Sequence, residues 1–342
     1  MAQLAHARPA TAPSPRRTAT SPWIGFAVRR GAGLAATIAV LVVVSFLIVQ
    51  LIPGDPAVAL AGPDATTAQI EALRSRLRLD LPVWEQFAVY VGGLLQGDLG
   101  QSFMYGRPVA ELIAARLPFT AAIALSSIVL VLLVSIPLGL TIGVLTRGGR
   151  RSWLDTGFGA VTGLLDSLPG YILATLLVVL LGTGVGVLWL LPPAYLASAP
   201  VASLVLPVLA LSVGPICMVS RLVRRETAVA LAEDYMRTAR GWRLGTAALY
   251  LRNALPNLLT STLTLSGLIL GGMLGGALVI ESVFALPGLG TGIIQAILNR
   301  DFPVIQGMVL VIGLVAALVN LLVDVLLGIV DPRTLGGRHA DS

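Results

Sequence analysis

Few side chains in this sequence could perform covalent chemistry. Cys217 is the only cysteine and lies inside an apolar run, while the only histidines, His6 and His339, lie near the two ends. A disulfide within the chain is therefore impossible, and neither a zinc site nor a histidine-based catalytic triad is expected. All 23 basic residues are arginines, so the chain lacks the lysine of a GxxxxGK(S/T) phosphate-binding loop. The sequence thus predicts a chain without a metal site, a cofactor or an ATP site of its own.

Asp166 is a carboxylate inside a long apolar stretch. It follows Asp155 by eleven positions, about 16 Å along a helix, which predicts a position near the middle of a bilayer. Because an ionised group is costly in lipid, Asp166 should face the bundle interior or water, and Pro169 and Gly170 would loosen the same helix nearby. Two interpretations are open: a structural, hydrogen-bonded aspartate, or a side chain that lines a path and meets cationic groups of a substrate.

Asn320 and Asp324 form a second polar pair, four residues apart near the end of the last apolar run. That spacing places both side chains on one face of a helix. We expect them to form hydrogen bonds between helices rather than to act on a substrate.

The composition is that of an integral membrane protein. The mean hydropathy is +0.89, and 12% of the 342 residues are charged, against roughly a quarter in soluble domains. The apolar run 31–52 is long enough to cross a bilayer and exceeds the core of a signal peptide, so we expect it to remain as an anchor. The sequence "ALA" at 59–61 keeps cleavage of that segment as an alternative.

Six membrane-spanning helices are predicted. The uncharged run 167–220 contains 54 residues and would extend about 81 Å as one helix, against a bilayer core of about 30 Å. It must therefore fold back, and the glycines in 182–186 with the prolines at 192–193 supply the turn. The predicted helices, in an all-α integral membrane fold, are 31–52, 118–145, 156–181, 203–221, 254–280 and 304–329.

The placement of the arginines predicts the orientation. With the N-terminus in the cytoplasm, 17 arginines fall in inner segments and 6 in outer ones. Because positive residues favour the cytoplasmic side, both termini are expected in the cytoplasm. The segment 1–26, rich in Ala, Pro, Ser, Thr and Arg, is expected to be a disordered cytoplasmic tail, and 336–342 a short second one.

The predicted outer segment 53–116 is long and contains seven acids and five arginines. Its stretch "TTAQIEALRSRLRL" has apolar residues at helical spacing. Turn signals lie at Pro53, Gly54, Gly97 and Gly100. We therefore expect a small external subdomain between the first and second membrane helices rather than a loose loop.

Residues 222–245 form a charged segment on the predicted cytoplasmic side, between two apolar runs. From Leu222 to about Arg240 the pattern fits a helix along the membrane surface, in which Glu233 and Arg237 form a favourable i,i+4 pair. Its apolar face contains Ala228, Leu231, Tyr235 and Ala239. One interpretation is a loop whose arginines only set the topology. The interleaved acids and the helical spacing favour instead a short amphipathic helix that fits a groove on a partner protein.

The run "EDYMRTAR" at 233–240, followed by "LRNALP" at 251–256, resembles the cytoplasmic coupling segment of ABC transporter permeases of the binding-protein-dependent dipeptide/oligopeptide/nickel group. Further stretches resemble the same family in order along the chain: "LIPGDP" (51–56), "LRLDLPVWEQFAVY" (77–90), "GDLGQS" (97–102), "ARLPFT" (115–120), "ESVFALPGLG" (281–290), "RDFPVIQG" (300–307) and "NLLVDVLLGIVDPR" (320–333). The resemblance covers about residues 27–335, the predicted permease domain.

This resemblance implies the six-helix fold of a type I ABC importer permease in the bacterial inner membrane. It implies as partners a second, similar permease in a heterodimer, two cytosolic ATPase subunits that hold ATP and Mg, and an external substrate-binding protein. ATP binding to the ATPases would move the coupling segment and open a substrate cavity by alternating access. The coupling residues carried over by match are Glu233, Asp234, Tyr235, Arg237, Thr238, Ala239 and Arg240.

The chain differs from the family's pattern directly after Arg240. The sequence "GWRL" stands at 241–244, and the stretch from there to Pro256 is several residues shorter. Trp242 and Arg243 are therefore not assigned to the coupling set.

Two further groups of residues are expected to take part in transport. The glycines of "GLILGGMLGG" (267–276) recur at small-xxx-small spacing, which either packs helices within the subunit or lines the pore beside the partner permease. The expected translocation-path residues are Asp166, Ser167, Pro169, Gly271 and Gly275. An external gate, or a contact with the binding protein, is expected from Glu281, Phe284, Pro287, Gly288 and Gly290.

The predicted function is the permease subunit of an ATP-driven importer of dipeptides or oligopeptides. The resemblance leaves nickel chelates or glutathione as alternative substrates. A different class, an ion-coupled secondary transporter, would use Asp166 as its coupling carboxylate but should show internal repeats, and no clear repeat is present. An intramembrane aspartyl protease would need Asp166 and Asp324 to share a proton, and the sequence contains no GxGD stretch.

Overall fold

The computed structural model describes residues 22–51, 56–61, 65–77, 79–233 and 255–330. In these ranges the chain forms eleven α-helices, a 3-10 turn at Arg147–Gly149 and two isolated β-bridges. The helices are α1 (Pro22–Leu51), α2 (Pro56–Ala61), α3 (Thr67–Arg76), α4 (Val83–Leu95), α5 (Val109–Leu145), α6 (Ser152–Asp166), α7 (Gly170–Leu181), α8 (Pro200–Ala230), α9 (Leu255–Val283), α10 (Leu289–Leu298) and α11 (Phe302–Val330). The predicted all-α fold class is confirmed.

Five helices are long and apolar enough to cross a membrane, namely α1, α5, α8, α9 and α11. The consecutive helices α6 and α7 pass the same test as a pair, which makes six spans if the pair counts as one. Each predicted span therefore has a counterpart, although α1 already begins at Pro22. Residues 22–26, which were predicted to belong to a disordered tail, lie in that helix, and residues 1–21 lie outside the described part of the chain.

The third predicted span, 156–181, is broken rather than continuous. The helices α6 and α7 meet at an angle of 99°. Pro169 has the extended backbone angles φ −56° and ψ 139°. A proline also disfavours the helical conformation in the residue before it, here Leu168. Pro169 was expected only to loosen the third span, but the structure shows that the helix is fully broken there.

The fourth span is longer than predicted, because α8 continues through residues 222–230. We expected these residues to begin a helix along the membrane surface. Instead, Val223, Thr227 and Ala230 are buried. Thr227 and the carbonyl of Arg224 lie so close to Gly143 of α5 that a Cβ atom on Gly143 would come within 2.9 Å of both. This contact with α5 keeps residues 222–230 in the spanning helix.

The contact between α5 and α8 is the most extensive between two helices of the described chain. Ser127 donates a hydrogen bond to the Val208 carbonyl, and Ser135 donates one to the Ile216 carbonyl, each at 3.3 Å. A Cβ atom placed on Gly139 would lie 2.5 Å from a backbone carbonyl oxygen of α8. Such small residues let two helix backbones approach closely inside a membrane.

The helix α11 is held by α9 on one side and by α1 on the other. A Cβ atom on Gly271 would lie 2.8 Å from Oδ1 of Asn320, and Gly267 is in similar contact with Val323. Asp324 forms a salt bridge of 2.7 Å with Arg30 of α1. The structural roles expected for Asn320 and Asp324 agree with these contacts.

The predicted external subdomain contains the short helices α2, α3 and α4. The helix α3 begins with a capping box, in which Thr66 and Gln69 cap each other's backbone amides. The helix α4 packs on α1, because the rings of Phe46 and Phe87 meet edge to face with centroids 5.2 Å apart. Tyr90 hydrogen-bonds Ser45 at 2.9 Å, and burial raises the pKa of this phenol above its ordinary value. The phenol therefore stays neutral at physiological pH.

The close approach of α5 and α8 predicts a steric cost for any side chain at Gly139. We expect Gly139→Ala to lower the free energy of unfolding by about 1–2 kcal/mol, because the new Cβ would overlap with α8. Thermal unfolding of the purified protein in detergent measures the effect. The control is Gly159→Ala on α6, where a Cβ meets nothing within 4 Å and the helix should gain stability. Equal melting temperatures for the two variants would contradict the packing described here.

Candidate coupling segment and transport path

The predicted coupling segment, residues 222–245, begins within the last turns of α8, and its family-like run 233–240 starts just after this helix ends at Ala230. Leu231 caps the helix by donating its N–H to the carbonyls of Thr227 and Val229, and its side chain is fully buried. Glu233, two residues further, is exposed. The other predicted coupling residues, which lie outside the described residues, are Asp234, Tyr235, Arg237, Thr238, Ala239 and Arg240. The chain is described again from Leu255, where α9 begins.

Two salt bridges join α6 to α8. Arg221 donates a hydrogen bond of 2.5 Å to Asp166, and Arg224 forms an ion pair with Asp155. The second carboxylate oxygen of Asp166 faces Gly214, where a Cβ atom would be 3.8 Å away. Asp166 therefore lies beside the middle of α8, between Gly214 and Arg221.

The arginine partners of these carboxylates were not predicted from the sequence. A usable signal was present, since Asp155 and Asp166 lie just before and within the predicted span 156–181, and Arg221 and Arg224 lie at and just after the end of the predicted span 203–221. Opposite charges on neighbouring membrane helices are expected to pair, because an unpaired charge is costly in lipid. Because the fourth span was predicted to end at Arg221, this arginine was assigned to the cytoplasmic side and was not considered as a partner for Asp166.

The pair of Asp166 and Arg221 is accessible, with 37% and 35% of the two side chains exposed. A charged pair in a membrane span faces water or another polar surface rather than lipid. Ser167 and Pro169, at the break between α6 and α7, are also exposed, as is Gly275 on α9. These four predicted path residues are therefore accessible, whereas the fifth, Gly271, is half-buried and packs against Asn320.

The two aspartates that an intramembrane protease would use do not form a dyad. Asp166 pairs with Arg221 on α8, and Asp324 pairs with Arg30 on α1. A catalytic pair of carboxylates must lie close enough to share one proton. With each carboxylate held by its own arginine, the protease alternative is contradicted.

Glu281 is completely buried at the end of the molecule where α9 ends and α5 begins, which we call the distal end. Its carboxylate accepts hydrogen bonds from Thr120 of α5 at 2.5 Å and from the backbone amides of Gly290 and Thr291 at 2.7 and 3.3 Å. Thr120 in turn accepts a bond from the amide of Leu289. The first amides of α10 thus receive acceptors that their own helix cannot provide, and an anion at this helix end is favoured by the helix dipole.

The predicted gate residues form the interior of this cap. Phe284, Gly288 and Gly290 are buried with Glu281. The glycines are required sterically, because a Cβ atom on Gly290 would lie 2.8 Å from the carboxylate and one on Gly288 would overlap with it. Buried side chains offer no surface to a second protein, so a direct contact of these four with a binding protein is not available in this conformation. Pro287 is half-buried.

Asp301 is a second buried carboxylate at the distal end that the sequence analysis missed. It accepts hydrogen bonds from the Ser102 hydroxyl at 2.5 Å and from the amides of Phe103 and Met104 at 3.0 and 3.3 Å. Because Asp301 directly precedes α11, it ties the start of that helix to the loop before α5. The sequence signal was an aspartate followed by "FP", the pattern of a helix start with proline in the first turn.

The arrangement is that of a membrane scaffold. Among the described residues no group of three or more histidine, cysteine or acidic side chains could hold a metal ion. Among the described carboxylates, Glu281 caps α10, and Asp155, Asp166 and Asp324 pair with arginines. The accessible polar groups lie along α6 and α8, and α8 leads into the predicted coupling segment.

Comparison with known proteins identifies the class. Residues 23–124 match the N-terminal family of membrane components of binding-protein-dependent transport systems, and residues 135–336 match the family described as the inner membrane component of such systems. The chain belongs to this family of binding-protein-dependent transport system inner membrane components. This membership confirms the resemblance to ABC transporter permeases that the motifs indicated and, with the apolar helices, places the chain in the membrane as a multi-pass protein.

Individual relatives cover nearly the whole chain. A peptide transport system permease protein of Brucella abortus is 38% identical over 311 residues, which are 90% of this chain and 97% of the relative. A D,D-dipeptide transport system permease protein of Escherichia coli is 38% identical, with 88% and 94% covered. A glutathione transport system permease protein of Escherichia coli is 35% identical, with 90% and 98% covered.

Removal of the Glu281 carboxylate should destabilise the distal end. In Glu281→Ala, two buried amides and the Thr120 hydroxyl lose their acceptor, so we expect a loss of about 2–4 kcal/mol in the free energy of unfolding. Glu281→Gln, which keeps an acceptor oxygen, should lie between this variant and the natural protein. The control is Glu111→Ala, an exposed position in the first turn of α5, with an effect of about 0.5 kcal/mol or less. Thermal unfolding in detergent distinguishes these outcomes, and equal losses at both positions would refute the capping role.

The two salt bridges predict a specific pattern of energetic coupling. A double-mutant cycle on Asp166 and Arg221 should give a coupling energy of about 1 kcal/mol or less, because both side chains are partly exposed and the pair is screened. The cycle on Asp155 and Arg221, which are not paired, is the control and should give a value near zero. Unfolding midpoints of the four proteins in each cycle supply the measurement. Equal coupling in the two cycles would show that the pairing is not specific.

Proposed function

We propose that this chain is the permease subunit of an ABC importer that moves dipeptides or oligopeptides across the bacterial inner membrane. The observation that carries this proposal is the similarity, over about nine tenths of the chain, to permeases named for peptide and D,D-dipeptide transport. Separate ATPase subunits supply the energy, a second permease completes the path, and an external binding protein delivers the substrate. This assignment makes the chain a transport subunit without its own enzymatic step.

In the proposed orientation both termini and the coupling segment lie in the cytoplasm. The geometry at the two ends of the bundle supports this. The salt bridge of Arg224 with Asp155 brings the end of α8 near the start of α6, so the arginines at 147–151 and the end of α8 lie on one side. At the distal end, Asp301 binds the loop before α5, and the amide of Tyr195 donates to the carbonyl of Phe284. The connections predicted to be external therefore meet at one end.

The structure suggests how movement at the coupling segment would reach the path. The helix α8 is continuous from Pro200 to Ala230 and is packed along α5. When the ATPases close and displace residues 234–240, α8 and α5 would move as one body. The ion pairs would carry α6 with them, and the break at 167–169 would absorb the change in angle relative to α7. Asp166, Ser167, Pro169 and Gly275 would line the path between the two permeases.

Glutathione is a second candidate substrate, because one relative of similar coverage is named for glutathione transport. Glutathione is itself a small peptide with free charged groups, so the two candidates share most of their chemistry. A substrate panel in the test below separates them.

The test uses the importer purified with its ATPases and second permease and reconstituted with its binding protein in proteoliposomes. Radiolabelled dipeptides, longer peptides and glutathione are offered, and uptake is measured with and without ATP. We expect ATP-dependent uptake of at least one peptide class, and ATPase activity that rises when the loaded binding protein is added. Uptake that follows an ion gradient without ATP would overturn the proposal.

If the coupling segment transmits the movement of the ATPases, the triple variant Glu233→Ala/Tyr235→Ala/Arg237→Ala should lose substrate uptake without losing assembly. The triple variant should assemble in the membrane but lose uptake, because its ATPases no longer move α8. The matched control is Arg150→Ala/Arg151→Ala, which changes charges in the other arginine-rich segment on the same proposed side. Undiminished uptake by an intact complex that contains the triple variant would disprove the coupling role.

A further inference from the structure

The connection between α7 and α8 is unusually apolar for a loop. Residues 182–199 contain no charged side chain. Within them, the sequence "VGVLWL" at 185–190, which we call the apolar loop, presents five large apolar side chains with 51% to 74% of their surface exposed. Loops that face water are normally polar, and a cluster of exposed apolar side chains marks a surface that contacts something apolar.

Four of the six backbone amides of the apolar loop donate hydrogen bonds within the chain. The amides of Val187, Leu188 and Leu190 donate to the carbonyls of Val179, Leu180 and Leu181 at 2.9 to 3.0 Å. Gly186 donates to the carbonyl of Gly182 at 2.7 Å. In water, backbone amides and carbonyls can form hydrogen bonds with the solvent. In hydrocarbon they must find their partners within the chain. The bonding of these four amides lowers the cost of placing the loop in lipid.

The glycines explain how the loop folds back on α7. A Cβ atom on Gly186 would lie 2.5 Å from the amide nitrogen of Gly182. A Cβ atom on Gly182 would lie 2.5 Å from the Val178 carbonyl. Only glycine at both positions allows the loop backbone to reach the last carbonyls of α7, so the folded-back shape is encoded in the sequence.

The apolar loop continues the exposed face of a membrane helix. On α7, Ala174 is buried in the core cluster that α5, α8 and α9 share, and Leu173 beside it is also buried. The opposite face of α7 exposes Leu176, Val179 and Leu180. Since the loop amides bind the end of this helix, the exposed apolar side chains of the loop lie next to those at the end of α7.

We propose that the apolar loop 185–190 inserts into the bilayer leaflet at the distal end and anchors the junction of α7 and α8 in lipid. Trp189 is its boundary residue, because tryptophan favours the level of the headgroups. The lipid contact does not rest on the proposed function, whereas the assignment to the outer leaflet follows from the proposed orientation. The anchor would hold the outer ends of α7 and α8 while the break at 167–169 changes its angle.

The test measures the depth of Trp189 in the assembled importer. Trp23, Trp84, Trp153 and Trp242 are replaced by phenylalanine, and the complex is reconstituted in phosphatidylcholine brominated either near the headgroup or near the end of the acyl chain. We expect Trp189 to lose most of its emission in brominated lipid, with stronger quenching by the shallow bromines. Aqueous iodide should have little effect.

The control is Ala72→Trp in a chain whose other tryptophans are replaced, since Ala72 is exposed on the charged helix α3. Iodide should quench this residue and brominated lipid should not. If Trp189 behaves like the control, the loop faces water and the proposal is wrong. If brominated lipid quenches Trp189 only after the second permease or the binding protein is removed, that protein covers the loop and the proposal is likewise overturned.

A second measurement does not depend on the tryptophan replacements. In Cys217→Ser/Val187→Cys, the new thiol should resist a membrane-impermeant maleimide, because a thiol in hydrocarbon is neither accessible nor ionised. Cys217→Ser/Ala72→Cys should react under the same conditions. Full labelling at Val187→Cys in intact vesicles would contradict insertion into lipid.

Discussion

The close contact of α5 with α8 is the interaction on which the rest of the described structure depends. Inside a membrane the surrounding lipid is as apolar as the helices, so helix association relies on close packing and on hydrogen bonds between helices. Serines and glycines on α5 meet the backbone of α8 at van der Waals or hydrogen-bond distance. This pair forms a rigid unit, and α6, α7 and α9 pack against it.

Ionised or polar groups then fix the two ends of the bundle in different ways. At the distal end, Glu281 and Asp301 are buried and accept hydrogen bonds from backbone amides, which makes the connections around α10 and before α5 rigid. Towards the coupling segment, Asp155 and Asp166 instead form ion pairs with arginines that are partly exposed. Buried, fully bonded carboxylates resist movement, whereas partly hydrated ion pairs can separate at a smaller cost. This difference suits a subunit that is driven from one end.

A transport role follows naturally from this division. In the proposed mechanism the subunit needs a rigid element that connects the energy source to the substrate path, and α8, continuous from Pro200 to Ala230, would be that element. It also needs a place where angles can change, and the break between α6 and α7 lies beside the accessible pair of Asp166 and Arg221. An anchor in lipid at the opposite end of α7 would hold α7 in place while the angle between α6 and α7 changes.

The amino-acid sequence by itself determined the class of protein, the number of spans and the turn near Gly182, because apolar runs of bilayer length and glycine or proline turns are local properties. Its ordered motifs also identified the permease family. The tertiary structure alone decided that residues 222–230 belong to α8, that Gly271 packs against Asn320, and that the residues around Glu281 form a buried cap. It also decided which arginine each aspartate binds. These facts depend on which helix faces are brought together, and side chains more than a hundred positions apart, such as Thr120 and Glu281, leave no pattern in a single sequence that reveals their contact.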